Sequence, residues 1–297
     1  MTPAPNDRPA RPPRPPRPQA VLHVAEAFDL PSGLRRVILE GPGIVHYEDK
    51  PFADRYAKLL IADPELGLEP PYDLERLRAE RPEALPSRRT YTVRGADLDR
   101  RRLAIDFVVH GDAGVAGPWA ARATGGEVIA LSGAGGAYAP DLDADWHLLA
   151  GDLAALPAIA QAVERLPRDA RGHVLIEADP GLELGLDAPS GVAVTRVAPA
   201  PAAAAAAEEG ERPEPLVDAL RELEWLPGAP HAFVHGERGA MKLARRHLLG
   251  ERGLDRTRLS LSAYWARGRS EDRFQAEKQE PVGRLDAGDE DGRPAAR

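Results

Sequence analysis

The fold of this 297-residue chain is decided by residues 87–121, which read SRRTYTVRGADLDRRRLAIDFVVHGDAGVAGPWAA. The first part is rich in Thr, Tyr and Val, which favour β-strands. Because side chains alternate along a strand, Arg89 and Tyr91 are expected on one face. A second strand is predicted from 103 to 110. The chain then enters a glycine-rich loop and a helix in which Pro118 suits the first turn.

This passage from strand through loop to helix is also a candidate phosphate site. Unpaired backbone N–H groups at the start of a helix favour a phosphate or pyrophosphate group. An arginine and a flat aromatic ring beside such a site are what a flavin dinucleotide requires. Glycine-rich turns between strands and helices are more often only turns, so these residues alone leave both interpretations open.

Two motifs of the stretch, RTYTVR at 89–94 and HGDAGVAGPWA at 110–120, together resemble the siderophore-interacting protein family. Members of that family are FAD-dependent ferric-siderophore reductases related to the ferredoxin–NADP reductases. The similarity continues through ADWHLLAGD (144–152), ALPAI (155–159), HGE (235–237) and YWARGRSED (264–272). It covers roughly residues 20–280 in the order that the family shows.

Composition excludes several kinds of protein. The chain has no cysteine, so it can form neither a disulfide nor a cysteine-held zinc or iron–sulfur site. Its formal net charge of −8 argues against nucleic-acid binding. No apolar run is long enough to cross a bilayer, and no apolar segment follows the N-terminal charges as in a secretory signal. We therefore expect a cytoplasmic protein without membrane insertion and without metal ligands in its site.

The length suggests two domains, each large enough to bury its own core. In the first half, six short strands with a helix after the fifth are typical of a small antiparallel barrel. These strands are predicted at 20–25, 34–40, 56–61, 89–94, 103–110 and 127–131, with a further short helix at 73–80. Residues 133–138 (GAGGAY) are expected to form a turn-rich connection.

From about residue 145 onward, strands alternate with helices, which predicts an open, mostly parallel sheet. Strands are expected at 146–150, 173–178, 191–197, 232–235 and 259–263, and helices at 156–166, 216–225 and 237–249. This order matches the fold of the resembled family. The resemblance implies a six-stranded antiparallel flavin-binding barrel followed by an open parallel α/β nicotinamide-binding domain, with the flavin between them.

We divide the chain accordingly. A disordered arm rich in Pro and Arg is expected at 1–18, the FAD-binding barrel at 19–140 and the NAD(P)H-binding domain at 141–273. A flexible insert rich in Ala, Glu and Pro is expected at 198–215, and a polar tail at 274–297.

The resemblance implies how the flavin is held. Arg89 would pair with pyrophosphate oxygens, Tyr91 would stack near the isoalloxazine ring, and Thr92 would bond an edge of that ring. Because Thr92 points away from Arg89 in an ideal strand, its contact would use the backbone or the strand end. The other residues implied are His110, close to the flavin, and the positions that would present the phosphate-binding backbone: Gly114, Gly117, Pro118, Trp119 and Ala120. Tyr91 could instead be an ordinary half-buried aromatic, and His110 a solvent-facing strand end.

Three residues are implied on the nicotinamide side. Asp152 follows the first strand of the second domain, at the edge where such sheets bind ligands. The chain departs from its relatives here, because GDLAALP at 151–157 lacks the hydroxyl and second carboxylate of their common Gly-Asp-Glu-Thr-Ala-Leu-Pro. Glu237 would lie beside the nicotinamide, or would begin a helix whose dipole favours it. Trp265 would cover one face of the flavin or pack at the domain seam.

Basic residues near the cleft are candidate ligands for an anionic ferric siderophore. Lys58 and Arg267 are the first candidates, and Arg269 is the next. Relatives often carry another basic residue where this chain has Ala266.

The resemblance implies that hydride passes from NADH or NADPH to FAD, and that electrons then pass singly to Fe(III) in a siderophore, which releases Fe(II). Glu177, near the end of the second sheet strand, weakly disfavours the 2′-phosphate of NADPH, but the donor stays open. A general flavin reductase or diaphorase with another acceptor is one alternative. A flavin-containing siderophore-binding protein that needs an external reductant is another. A monomer is expected.

Overall fold

A computed structural model describes residues 18–285 except 113, 202–203, 205–211 and 279. The N-terminal arm up to residue 17 and the end of the expected tail, residues 286–297, therefore lie outside the described residues. The same holds for most of the alanine-rich part of the expected insert.

The first half of the chain is a closed antiparallel barrel, in the strand order β1-β2-β5-β4-β3-β6. Its strands are β1 (Gln19–Asp29), β2 (Leu34–Glu40), β3 (Tyr56–Ile61), β4 (Ser87–Asp97), β5 (Arg102–Val108) and β6 (Val128–Gly135). Pairing of β1 with β6 closes the barrel. The six predicted strands are all present, and β4 is held between β3 and β5.

Alternation of apolar residues along β5 fills the barrel core, as the sequence predicts. Leu103, Ile105 and Phe107 are each 0% exposed. Asp106, on the opposite face, is nevertheless buried, because Nε and Nη2 of Arg36 donate to its two carboxylate oxygens at 2.6 and 2.7 Å. A bidentate pair of this kind satisfies a carboxylate that would otherwise be costly to bury.

The turn expected at 133–138 is wrong in its first half. β6 continues to Gly135, which pairs with Tyr56 of β3. A Cβ atom at Gly135 would lie within 2.9 Å of the Tyr56 ring, so the glycine here makes room for a tyrosine rather than for a turn.

The second half contains a five-stranded parallel sheet in the order β11-β10-β7-β8-β9. Its strands are β7 (Trp146–Asp152), β8 (Arg171–Glu177), β9 (Gly191–Val197), β10 (Pro230–Glu237) and β11 (Leu259–Trp265). Because the strands are parallel, their carboxyl ends lie along one edge of the sheet. The predicted fold class, an antiparallel barrel followed by an open parallel α/β sheet, is confirmed.

The helices are short. They are α1 (Leu74–Glu80), α2 (Ala116–Arg122), α3 (Leu156–Val163), α4 (Pro215–Glu222), α5 (Arg238–Arg245) and α6 (Glu271–Glu277). A π-helical turn, Arg246–Glu251, continues α5. Single 3₁₀ turns occur at Pro42–His46, Pro64–Leu66, Pro82–Ala84, Arg256–Arg258 and Pro281–Gly283.

Barrel and sheet share a buried interface. Ala53 and Tyr138 of the first half pack in one apolar cluster with α3 and with Phe233 of β10. The side-chain amide of Gln161, on α3, donates to the carbonyl oxygens of Ala53 and Val93, each at 2.9 Å. These contacts fix α3, which follows β7 of the sheet, against β4 of the barrel. The sheet and β4 are therefore held in a fixed relative position.

The polar tail expected from residue 274 is not what the structure shows at its start. Helix α6 crosses the boundary drawn between 273 and 274. Phe274 is 1% exposed and packs with Ala263 and Ala266. A single buried aromatic among charged residues gives no apolar periodicity, so the sequence pattern did not reveal this helix.

Candidate functional site

The site is built around β4, where Arg89 is 7% exposed although it is an arginine. Its strand partner is Leu59, and Tyr91 pairs with Ala57, so Arg89 and Tyr91 share a face as predicted. The Arg89 guanidinium donates through Nη1 and Nη2 to the two carboxylate oxygens of Asp272, at 2.7 and 2.9 Å. This contact joins the barrel to α6, and no motif or periodicity in the sequence predicts it.

Tyr91 presents a rigid ring beside Arg89. Its centroid lies 4.4 Å from that of Phe107, at an interplanar angle of 38°. Burial raises the pKa of Tyr91 to about 12, so the phenol is neutral at physiological pH. A neutral, immobilised phenol can both offer its face to a flat ligand and donate one hydrogen bond.

Thr92 lies on the other face of β4 and contacts the second domain. Its side chain is hydrogen-bonded to the hydroxyl of Tyr264, near the end of β11. Burial raises the pKa of Tyr264 well above its usual range, so this phenol is also neutral. Of the two neighbouring aromatic residues in the motif at 264–272, Trp265 was the predicted site residue and Tyr264 was not.

The imidazole ring of His235, on β10, packs against the rings of Phe233 and Tyr264. Its ring is stacked on Phe233 with centroids 3.8 Å apart and lies edge-on to Tyr264 at 5.0 Å. Burial lowers the pKa of His235 to about 3, so the imidazole is uncharged. Phe233, His235 and Tyr264 therefore form a rigid aromatic wall against β4.

The loop after β5 has the conformation that a glycine-rich loop requires. Gly114 has φ +85°, a backbone conformation that other residues rarely adopt, and a Cβ there would meet nothing within 4 Å. Helix α2 begins at Ala116 and has no side-chain cap. Pro118 lies in its first turn, as predicted. His110 lies beyond the end of β5 and is exposed.

Not all of the predicted backbone donors can serve as donors. Pro118 has no N–H group. The N–H of Trp119 donates to the carbonyl of Val115 at 3.0 Å, and Ala120 lies beyond the first turn of α2. Amides that could face a phosphate therefore belong to Gly114 and Gly117, together with their neighbours Val115 and Ala116, which the motif comparison passed over.

Trp119 and Ala120 instead anchor α2 to the barrel. The indole of Trp119 is 6% exposed and donates from Nε1 to Glu127 Oε1 at 2.7 Å. The carbonyl of Ala120 accepts from Nε of Arg35 at 2.7 Å. These contacts position the loop before α2, and the part that the motif implied for the two residues in the phosphate-binding backbone stays a prediction.

At the carboxyl edge of the sheet, Asp152 ends β7. One of its oxygens accepts from the Ala154 N–H at 2.8 Å, and the other accepts from Trp265 Nε1 at 2.7 Å. Burial raises the pKa of Asp152. Trp265 is 36% exposed, and the hydrogen bond from its indole to Asp152 holds it at the sheet edge. The aromatic residue that contacts Thr92 is Tyr264.

Glu237 caps α5. Its Oε2 accepts from the backbone N–H groups of Gly239 and Ala240, and its Oε1 accepts from the N–H of Arg267 at 3.0 Å. The helix-start role considered for Glu237 is therefore present. With both oxygens engaged in this way, the residue ties β10, α5 and the segment after β11 together.

Two further carboxylates, Glu177 and Glu214, face the same edge as Asp152 and Glu237. Glu177 ends β8, pairs in register with Asp152, and accepts from the Leu216 N–H at 3.3 Å. Burial and the neighbouring carboxylates raise the pKa of Glu177 and raise that of Glu214 to about 7. The charge of Arg267 opposes both shifts. The edge is therefore rich in carboxyl groups, and Glu214, with a pKa of about 7, is partly protonated at neutral pH.

The three residues proposed to attract a ferric complex do not lie in one group. Lys58 lies on β3, paired with Thr90 and Ser132. The guanidinium of Arg267 lies 5.9 Å from the ring centroid of Trp265, among the carboxylates of the sheet edge. Nε of Arg269 donates to Glu277 Oε1 at 2.8 Å, so Arg269 holds α6.

Two family models match the chain. One, described as a siderophore-interacting FAD-binding domain, matches residues 23–138, and the other, described as siderophore-interacting protein, matches residues 144–268. An uncharacterized protein of Mycobacterium tuberculosis is 45% identical over 254 residues, which cover 82% of this chain and 89% of that protein. The chain belongs to the siderophore-interacting protein family.

Among the relatives, some have names that state an activity. Ferric vibriobactin reductase ViuB of Vibrio cholerae is 34% identical over 199 residues, which cover 66% of this chain and 71% of ViuB. Among solved structures, the siderophore-interacting protein SipS from Aeromonas hydrophila superposes with a TM-score of 0.72 at 29% identity, and covers 90% of this chain and 98% of SipS.

More distant structures share the fold alone. Phthalate dioxygenase reductase superposes with a TM-score of 0.53 at 16% identity, and covers 84% of this chain and 70% of that protein. The barrel followed by a parallel sheet is thus the arrangement of the ferredoxin reductases. In the described part of the chain, no helix is both long and apolar enough to span a membrane.

Proposed function

We propose that this protein is an FAD-dependent oxidoreductase that passes electrons from a nicotinamide nucleotide to a ferric siderophore. The observation that carries the proposal is the pairing of a buried arginine, Arg89, with the rigid ring of Tyr91 on one face of β4. This pair lies within the residues that match the siderophore-interacting FAD-binding domain. A buried guanidinium needs an anionic partner, which Asp272 supplies in this structure and which a phosphate group could supply in its place.

The residues present fit FAD. The guanidinium of Arg89 matches the geometry of a phosphate group, and Tyr91 offers a flat apolar face beside it. The open space around Gly114 and the uncapped start of α2 allow backbone N–H groups to approach a second phosphate. Thr92 and Tyr264 supply two neutral hydroxyls at the opposite side of the strand, where polar edges of a ring system could be bonded.

When bound, FAD would supply the redox chemistry, because it accepts a hydride and gives up electrons one at a time. The protein's residues would orient the flavin and shield it from water. Tyr91 would fix the plane of the ring, and Tyr264, held by His235, would exclude water from the seam. The Fe(III) siderophore would be the substrate, and reduction would release iron because hard oxygen donors bind Fe(II) less tightly.

The nicotinamide nucleotide would bind at the carboxyl edge of the sheet, as in other open α/β sheets. Glu177 at the end of β8 would be positioned to meet a ribose hydroxyl and to repel a 2′-phosphate. We therefore propose NADH rather than NADPH as the better donor.

A second candidate is favoured by the same acidic edge. The dinucleotide carries a pyrophosphate, and the carboxylates of Asp152, Glu177, Glu214 and Glu237 would weaken its binding. A flavin-containing siderophore-binding protein that receives electrons from an external reductant is consistent with that edge. A general flavin reductase differs only in its acceptor, and the acceptor test below separates it from the first candidate.

The proposal is tested with the FAD-reconstituted protein in two stopped-flow experiments. The first mixes oxidised protein with NADH or NADPH and follows loss of flavin absorbance. The second mixes dithionite-reduced protein with ferric vibriobactin or ferric citrate and follows its return. We expect NADH to reduce the flavin and the ferric siderophore to reoxidise it. Reoxidation without reduction by either nucleotide would support the external-reductant candidate, and failure to retain FAD would overturn both.

A further inference from the structure

The inference concerns Arg89, which the proposed function assigns to the cofactor and which the structure pairs with a carboxylate. We propose that Asp272 is an intramolecular competitor for the phosphate of FAD at Arg89, so that the first turn of α6 must release Arg89 before the cofactor binds fully. The contact spans 183 residues of sequence and joins the barrel to the C-terminal helix. The inference rests on the proposed flavin site.

The geometry of the pair is the geometry of phosphate recognition. Nη1 and Nη2 of Arg89 donate to separate oxygens of one carboxylate, at 2.7 and 2.9 Å. Nη1 also donates to the carbonyl of Arg88 at 3.0 Å. Three of the five N–H bonds of the guanidinium are thereby engaged. Because a carboxylate and a phosphate present the same pair of oxygens to this fork, the two cannot occupy it together.

The side chains of the two partners differ in exposure, and this difference allows the ion pair to open when another anion can bind Arg89. The side chain of Arg89 is 8% exposed, whereas that of Asp272 is 71% exposed. When the pair opens, the carboxylate returns to water at little cost, while the buried guanidinium needs a new anion. An incoming phosphate would provide that anion.

Helix α6 is held at its other end by contacts that do not involve Arg89. Oxygens of Glu277, which is 6% exposed, accept from Arg238 at 2.7 Å, from Arg269 at 2.8 Å and from Arg273 at 2.9 Å. These donors lower the pKa of Glu277 to about 2, so it stays ionised at neutral pH. With Phe274 also buried, the last turn is held independently of Asp272, so these contacts stay in place when the Arg89–Asp272 pair opens.

This arrangement predicts a specific effect on cofactor affinity. If Asp272 competes with FAD, removing its charge lowers the apparent dissociation constant for FAD, because the cofactor no longer has to displace it. Hydrogen bonds to charged groups are strong enough that the gain should be about ten- to a hundredfold.

The experiment is a titration of the apoprotein with FAD, followed by quenching of flavin fluorescence, for the parent, Asp272→Asn and Glu271→Gln. Glu271 is the adjacent carboxylate and accepts from Gln275 on its own helix, so its substitution removes the same charge from the same turn, near Tyr91 but without breaking a bond to Arg89. We expect Asp272→Asn to bind FAD at least tenfold more tightly, and Glu271→Gln to change affinity less than about twofold. Equal affinities of these two variants would overturn the inference.

A second measurement uses the unmutated protein and does not depend on how the variants fold. Hydrogen exchange of the backbone amides of α6 is compared with and without FAD. We expect the amides of its first turn to exchange faster when FAD is bound, and those near Glu277 to stay unchanged. Protection of the first turn by FAD would show that Asp272 and the cofactor share Arg89, and would contradict competition. Failure of the parent and both variants to bind FAD would instead reject the proposed function.

Discussion

The regions proposed to bind the flavin and the nicotinamide, called here the flavin side and the nicotinamide side, are built in opposite ways. The flavin side is basic at its centre, where Arg89 is buried in the barrel wall, and it is formed by the contiguous stretch 87–121. The nicotinamide side is acidic, and its carboxylates come from the ends of β7, β8 and β10 and from the start of α4. Folding alone brings this second group together, so its electrostatic character is a property of the tertiary structure.

The difference predicts that the two halves of the reaction can be disturbed separately. Substitutions on β4 should change cofactor retention and leave nucleotide preference intact. Substitutions at the sheet edge should change the donor and leave FAD binding intact. A variant that affected both equally would contradict this division.

The largest effect is expected from Arg89→Ala. Loss of a charge-assisted bond to phosphate should weaken FAD binding by about ten- to a hundredfold. Fluorescence titration of the apoprotein measures this, with the exposed neighbour Arg88→Ala as the matched control. If Arg89→Ala binds FAD as tightly as Arg88→Ala does, Arg89 is not part of the cofactor site.

A smaller effect, about five- to tenfold, is expected from Glu177→Gln on the ratio of kcat/KM for NADPH to that for NADH. Removing one negative charge beside the ribose lowers the repulsion of a 2′-phosphate by about 1 kcal/mol at a partly screened site. Steady-state kinetics with each nucleotide provides the measurement. Glu222→Gln, at the exposed end of α4, removes the same charge and should leave the ratio unchanged.

The contrast between the two sides also explains what the sequence could reveal. Strands 34–40, 56–61 and 191–197 were predicted with the bounds that the structure shows, because each has apolar alternation or a β-branched run bounded by turn residues. The motif strand β4 and the loop before α2 were predicted for the same reason. For β4 and this loop, the residue pattern and the resemblance to the family predict the same structure.

Contacts between distant segments could not be predicted in this way. The pairs Arg89–Asp272 and Thr92–Tyr264 each join residues more than a hundred positions apart, and no periodicity connects them. The contacts that Trp119 and Ala120 make with the barrel were not predicted, because a motif gives the position of a backbone segment but not the partners of its side chains and carbonyl groups. Of the four carboxylates at the acidic edge, Asp152, Glu177 and Glu237 were named from the sequence. Glu214 was not, since it lies in the expected insert and carries no motif.

A pH dependence of nucleotide binding tests the acidic edge directly. The pKa of Glu214 is raised to about 7 by burial, so Glu214 loses its proton, and the edge gains a negative charge, as the pH rises from 6 to 8. Glu177, Glu237, Arg212 and Arg267 face it, and the two arginines oppose the shift. Binding of NAD⁺ should therefore weaken about two- to fivefold over this interval. In Glu214→Gln, calorimetry should find a nearly flat profile; an unchanged slope would assign the effect to another group.

The smallest effect concerns the acceptor, and it separates two basic residues that were both candidates for binding the ferric complex. Lys58 lies in the barrel, whereas Arg267 lies among the carboxylates of the sheet edge. If Lys58 attracts an anionic ferric complex, Lys58→Ala should raise the concentration of ferric vibriobactin needed for half-maximal flavin reoxidation by about two- to threefold, the effect of one partly exposed charge. Added salt should reduce the difference from the parent, because such charges are screened over about 8–10 Å.

Arg267→Ala should act on the other half-reaction. Without its guanidinium the carboxylates of Glu177 and Glu214 lose their positive neighbour, so flavin reduction by NADH should slow while reoxidation by the ferric complex stays the same. Arg100→Ala, an exposed substitution on the turn between β4 and β5, controls for net charge. Stopped-flow measurement of each half-reaction resolves the assignment. Should Arg267→Ala slow reoxidation and spare reduction, Arg267 would reach the acceptor despite its carboxylate neighbours, and the division between a basic flavin side and an acidic donor side would have to be redrawn.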